Sequence, residues 1–258
     1  MEVENSVSRG NSSSYHRGET ILGKAERSKS LRARVTERLR RAILDAEFAL
    51  GQPLSEEKLA AAFGVSRTPV KDALTALQLE GLIEIRPQRG SFVFRPSETD
   101  IARLCEFREM MEVRALSLCF ADRRDITLAQ LRRANDAVEF AYQRNDRAGW
   151  MEADGEFHEV LVRNCDNNYL VDSYKLVSGQ VAALRNHSRS TDLNRAIIEH
   201  KGIIDAMGNK DLLQAQQILS HHILKMREVY VVSVRSAISA KSSENIFSSL
   251  ATLSSADG

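Results

Sequence analysis

Apolar residues recur at helical spacing through most of the chain, and they change to a period of two at one place only. Val35, Leu39, Ala42 and Ile43 mark an Arg-rich amphipathic helix. Leu59, Ala60 and Phe63 form a second, shorter stripe that ends at Gly64, where a tight turn is expected. Ser66 stands at the cap position of a third helix, Pro69 suits its first turn, and Val70, Ala73, Leu74 and Leu77 follow at i, i+3, i+4 and i+7. The pattern then alternates. Ile83 and Ile85 interleave with Glu84 and Arg86, Pro87-Gln88-Arg89-Gly90 marks a turn, and Phe92-Val93-Phe94 alternates again. Two strands joined by a turn after a helix-turn-helix predict a winged helix-turn-helix.

Beyond Arg95-Pro96-Ser97 the helical period returns and no strand is predicted up to about residue 237. Ser97-x-x-Asp100 resembles a capping box with Asp in place of Glu. Helices are expected over about 98–121, 127–144, 146–164, 168–187, 192–207 and 210–237. Thr127 and Thr191 are the expected N-caps, and Gly208 a C-terminal stop. The fold class is therefore mainly α, an N-terminal winged helix-turn-helix followed by an all-α antiparallel helical bundle. The expected organisation is a disordered leader at 1–28, the winged unit at 29–96, the bundle at 97–237 and a flexible Ser-rich tail at 238–258.

Charge sharpens this division. The chain of 258 residues has a formal net charge of +1, yet residues 29–96 hold twelve Lys and Arg against eight Asp and Glu. The first unit is basic and the remainder net acidic, which suits phosphate contact by the winged unit alone. Ser66, Arg67, Thr68 and Lys71 open the third helix, and all carry donors suited to phosphates and base edges. Arg89 and Gly90 at the wing tip add a cation and a close backbone approach. Three scattered cysteines form no C-x-x-C pair, and no stretch is long and apolar enough for a membrane span or secretory signal. A soluble, cytoplasmic protein is expected.

Candidate chemistry inside the bundle is confined to histidine. His16 lies in the leader, and His187 sits in a polar stretch expected to be solvated. Asp154 and His158 are four apart and share one helix face beside Ala153, Phe157 and Leu161. His200 falls among Ile197, Ile203, Ile204 and Met207, and His222 beside Ile218, Leu219 and Met226. His221 points about 100° away from that face. One carboxylate and three imidazoles on three buried faces require a common partner, because unpaired buried polar groups are costly. A divalent metal supplies one.

The motif run from Pro53-Leu54-Ser55-Glu56 through Gly64-Val65-Ser66-Arg67-Thr68-Pro69-Val70 to Gly81-Leu82-Ile83-Glu84-Ile85-Arg86-Pro87-Gln88-Arg89-Gly90-Ser91 resembles the DNA-binding domain of the GntR family of bacterial transcription regulators. The pattern Asp154-x-x-x-His158, Glu199-His200 and His222, with Arg108-x-x-x-Glu112 and Asn167-x-x-Leu170, is similar to the FCD effector domain of its FadR-like branch. That resemblance implies a homodimer on a near-palindromic double-stranded DNA operator, with a small carboxylic-acid effector and repression as the usual outcome. It implies Asp154, His158, His200 and His222 as ligands of a divalent metal. Three imidazoles favour zinc or nickel, with manganese as the alternative. Arg108 would offer a bidentate fork to the effector carboxylate; its other reading is a surface i,i+4 pair with Glu112. Two positions depart from the family: Glu57 and Lys71 stand where Arg is common, so no operator sequence carries over. A constitutive dimeric DNA-binding scaffold and a metal-dependent hydrolase are the competing readings. For the latter, Glu156 or Glu159 would have to act as base.

Overall fold

The computed structural model describes residues 30–188 and 193–239. The expected leader with His16, the Thr191 cap and the tail from residue 240 lie outside them. Nine helices and one small sheet form among the described residues: α1 (Leu31–Leu44), β1 (Pro53–Leu54), α2 (Glu56–Phe63), α3 (Arg67–Leu79), β2 (Ile83–Arg86), β3 (Gly90–Val93), α4 (Glu98–Asp122), α5 (Arg124–Gln143), α6 (Arg147–Asn164), α7 (Asn168–His187), α8 (Leu193–Gly208) and α9 (Leu212–Ser239).

The winged unit follows the alternation in the sequence. β2 and β3 pair antiparallel with Ile83 opposite Val93 and Arg86 opposite Gly90. Gly90 at the wing tip takes φ +95, a conformation that favours glycine. A third strand, β1, adds to the outer edge of β3, so the sheet order is β1-β3-β2. Pro53 tolerates this edge because a two-residue strand asks little of its missing N–H. Gly64 ends α2 in the left-handed conformation, at φ 63, and so sets the turn into α3.

In the bundle, Ser97 and Asp100 complete a reciprocal capping box at the start of α4. Asn167 caps α7 by accepting from the Leu170 N–H at 3.1 Å. One cap differs from expectation. α5 starts at Arg124, and Thr127 lies inside it, fully buried. The Thr127 hydroxyl and the Gln130 carbonyl instead accept from Asn164 Nδ2, at 3.3 and 2.8 Å. The demand of a buried amide for acceptors outweighs the local capping signal.

Three apolar cores form among the described residues, a small one where Val138 of α5, Trp150 and Met151 of α6 and Ile197 of α8 meet, and two larger ones. The inner bundle core joins Leu116, Leu131, Phe157, Leu161, Ile203, Leu219 and Ile223. The other begins under the helix-turn-helix, with Leu39, Leu59, Val70, Leu74 and Leu77, and continues into Ile101, Cys105, Val181, Leu184 and Tyr230 of the bundle. The winged unit is thus packed onto α4, α7 and α9 rather than hung on the Pro96 link. Side chains of α7 reinforce this packing through backbone carbonyls. Gln180 Nε2 donates to Gly81 O at 2.8 Å, Asn186 Nδ2 donates to Leu44 O at 2.6 Å, and His187 Nε2 lies 3.0 Å from Phe48 O. His187, expected to be solvated, is a half-buried contact between the two units because its helix turns it onto the loop that follows α1.

Candidate metal centre and nucleic-acid interface

α6 presents Asp154 and His158 to the bundle interior, α8 presents His200 and α9 presents His222. All four are buried, and one potential ligand atom from each lies within 4.8 Å of all the others. The amphipathic stripes explain the convergence: each group replaces an apolar residue on a face that must pack inward. His200 is stacked flat on Phe157, with ring centroids 3.7 Å apart and planes 6° from parallel.

Two carboxylates orient the imidazoles. A carboxylate can only accept, so His158 Nδ1–H donates to Glu112 Oε2 at 2.7 Å and His222 Nδ1–H donates to Glu199 Oε2 at 2.6 Å. In neutral rings that assignment leaves both Nε2 atoms bearing lone pairs, and they face each other 3.2 Å apart. Neither ring nitrogen of His200 finds a hydrogen-bond partner among the described residues, although Nε2 is 3.7 Å from Asp154 Oδ1. Facing lone pairs repel unless a cation or proton lies between them. The donor set, one carboxylate and three imidazoles with two carboxylates behind, fits a first-row divalent ion.

The electrostatics keep these groups ready to ligate. Burial pushes the His158 imidazole down to about 4, against the opposing pull of Glu112. Burial, followed by the neighbouring His222, likewise holds His200 well below its ordinary range. Both rings are neutral near pH 7, the form a metal binds. Burial would raise the Asp154 carboxyl, but Arg185 and then the imidazoles more than offset it and hold it well below the usual carboxylate range. Arg185 Nε reaches Asp154 Oδ2 at 2.7 Å.

Arg108 does pair with Glu112, at 2.6 Å, but in the interior rather than on the surface: the two side chains are 1% and 0% exposed. Glu112 also accepts from the Tyr174 hydroxyl at 2.7 Å. Tyr174, Arg185 and Trp150 were not singled out by the sequence, and Glu199 entered only through the Glu199-His200 match, with no role given to it. Glu199 alone carried a signal, since it adjoins His200 and lies 23 positions before His222. The groups proposed for hydrolysis are elsewhere: Glu156 is half-exposed and paired with Arg163 at 2.6 Å.

On the other unit, Ser66, Arg67, Thr68 and Lys71 are exposed together at the start of α3, and Arg89 and Gly90 are exposed at the wing tip. Ser66 occupies the N-cap position but makes no side-chain cap bond. Glu57 is exposed but not free. It pairs with Arg67 Nη1 at 3.1 Å, while Glu56 reaches Arg67 Nη2 at 3.4 Å.

A winged helix-turn-helix packed on an all-helical bundle with a buried polar centre is the build of a DNA-binding transcriptional regulator. Residues 31–93 match the family described as bacterial regulatory proteins, gntR family, and residues 103–225 match the FCD domain. The HTH-type transcriptional repressor NanR of Cronobacter sakazakii is 30% identical over 216 residues, covering 76% of this chain and 83% of that protein. The HTH-type transcriptional repressor RspR of Escherichia coli K12 is 27% identical over 192 residues, covering 74% of this chain and 84% of its own. Among solved structures, a GntR transcriptional regulator from Rhodococcus sp. RHA1 shares the fold with a TM-score of 0.67 at 24% identity, covering 82% of this chain and 99% of that one. The chain belongs to the GntR family of bacterial transcriptional regulators and carries an FCD domain. It is a regulator rather than an enzyme, and among the described residues no helix is long and apolar enough to cross a membrane.

Proposed function

We propose that this protein is a homodimeric repressor whose hold on DNA is set by a small carboxylic acid bound at a divalent metal in the bundle. Residues 29–96 would bind a near-palindromic operator, with Ser66, Arg67, Thr68 and Lys71 in the major groove and Arg89 and Gly90 at the backbone or minor groove. Residues 97–237 would dimerise and sense the acid. Asp154, His158, His200 and His222 would hold the ion, zinc or nickel before manganese, and Arg108 would face the acid carboxylate. The observation that carries this reading is the pair of imidazole Nε2 atoms 3.2 Å apart, each oriented by a carboxylate on its far nitrogen.

A physical route to the winged unit supports the switching part. Arg185 of α7 holds Asp154, and the next two residues, Asn186 and His187, engage backbone carbonyls of Leu44 and Phe48. An acid that draws Arg185 or Asp154 away from this pairing would act on the same helical turn that clamps α1. Such binding shifts DNA affinity only if it differs between the two arrangements of the clamp.

Elemental analysis with thermal melts tests the centre. The expected result is near-stoichiometric metal, a melting temperature lowered by chelator, and loss of both in His200→Ala. Metal-free protein that gains no stability when zinc, nickel or manganese is added would reduce the four residues to a structural polar core, leaving a constitutive DNA-binding dimer.

A further inference from the structure

A cavity of about 20 Å³ adjoins the four-residue centre, walled in part by Arg108, Arg185, Arg195, Trp150, Met151 and Met226. Guanidinium and indole groups can only donate hydrogen bonds, so this wall asks for an acceptor. Two of its donors are unserved: Arg108 Nη2 and Trp150 Nε1 find no acceptor among the described residues. Their side chains are sealed from solvent, with Arg108 1% and Trp150 5% exposed. A phenylalanine would fill the Trp150 position without burying an unused N–H, so the indole is costly unless a ligand oxygen meets it.

Charge and spacing narrow the occupant. Arg108, Arg185 and Arg195 are each matched by one carboxylate, from Glu112, Asp154 and Glu199. The two positive charges of a divalent ion would therefore be left for the ligand to balance. Trp150 and Asp154 are four apart on α6 and so share one helix face, and both line the cavity together with His222. The cavity has room for about one water, which favours a short ligand and requires the flexible Met151 and Met226 side chains to yield.

We infer that the effector is a short dicarboxylate. One carboxylate sits at the centre and Arg108, and the second accepts from Trp150 Nε1, the donor that selects diacids over monoacids. This inference rests on the sensor reading above and adds the ligand class and the residue that reads it.

The chain has one tryptophan, so indole emission reports on this cavity alone. Zinc-loaded full-length protein is titrated with succinate, glutarate and butyrate by fluorescence and calorimetry, and Trp150→Phe by calorimetry. The expected result is binding of succinate or glutarate with a change in emission, and butyrate at least about tenfold weaker, the scale of a hydrogen bond to a charged group. Trp150→Phe should narrow that preference to within about threefold with its zinc content unchanged. Equal affinity for butyrate, diacid binding that leaves the emission unaltered, no binding of any of the three acids, or a full preference retained in Trp150→Phe overturns the inference. If zinc is still bound stoichiometrically and protects against thermal unfolding, those results spare the metal-centre reading. Absence of bound zinc removes both. The wild-type arms decide even if Trp150→Phe does not fold.

Discussion

Glu112 and Glu199 make nearly the same bond to the centre, and replacing each separates metal tuning from folding. His158 Nδ1 lies 2.7 Å from Glu112 and His222 Nδ1 lies 2.6 Å from Glu199. Removing a carboxylate that orients a metal-bound imidazole typically weakens metal affinity about 10–100-fold. Both Glu112→Gln and Glu199→Ala are therefore expected to fall in that range. Their costs to the metal-free fold should differ sharply. Glu112 is fully buried and also serves Arg108 and Tyr174, so loss of its charge strands a buried guanidinium at about 3–5 kcal/mol. Glu199 is 13% exposed and reaches Arg195 only at 3.7 Å, so its removal should cost about 1 kcal/mol. At roughly 2–4 °C per kcal/mol for a chain of this size, Glu112→Gln should melt about 6–20 °C lower and Glu199→Ala about 2–4 °C lower. Competition against a chromophoric chelator measures the affinities, and scanning fluorimetry in chelator measures the melts. Wild-type metal affinity in Glu199→Ala would refute the role given to the second carboxylate. Equal melts for the two variants would refute the account of Glu112.

Three further outcomes are expected. Metal-free protein should lose about 2 kcal/mol of stability between pH 7 and pH 5 from His158 alone. Its imidazole is held at about 4 when folded against 6.5 when free, so the unfolded chain binds the extra proton across this window and stability falls as pH falls; urea melts that are flat over the interval would contradict this. Glu57→Gln should raise DNA affinity about two- to fivefold in anisotropy titrations, because Arg67 no longer leaves an exposed ion pair worth roughly 0.2–1 kcal/mol to reach the DNA. Unchanged or weaker binding would show that Arg67 does not meet the DNA. Cys105, Cys119 and Cys165 are all buried and burial pushes the Cys119 thiol up to about 11, so Ellman's reagent should titrate none in the native protein and all three once it is unfolded.

Much of the architecture was legible because it depends on periodicity. The stripes of α1–α3, the alternation of β2 and β3, and the Ser97 box are local signals, and the helices of the bundle fall within a few residues of their expected limits. β1 was not legible, since two residues have no period and its pairing to β3 is decided by the return of the chain. Thr127 misled for a similar reason: its role is set by Asn164, 37 positions away. At the centre, the inward faces of Asp154, His158, His200 and His222 could be read from spacing. The contacts of Glu112 with His158, Arg185 with Asp154 and His187 with Phe48 could not, because each joins separate elements: 46 positions separate Glu112 from His158, and 139 separate His187 from Phe48. Glu57 was read as a departure from the family, and its pairing with Arg67 shows what the departure does locally.

The most direct test of a metal-centred sensor is the DNA affinity of the zinc-loaded protein, measured on an operator it selects from random sequence. Affinity is compared with and without a saturating carboxylic acid that calorimetry shows to bind the wild-type protein, for wild type and His158→Ala at equal dimer concentration. The expected result is a change of at least tenfold on adding acid to wild type and no change in His158→Ala, with both proteins still binding the operator. The same affinity in all four conditions would contradict control through the centre and leave the bundle as a support for the DNA-binding unit.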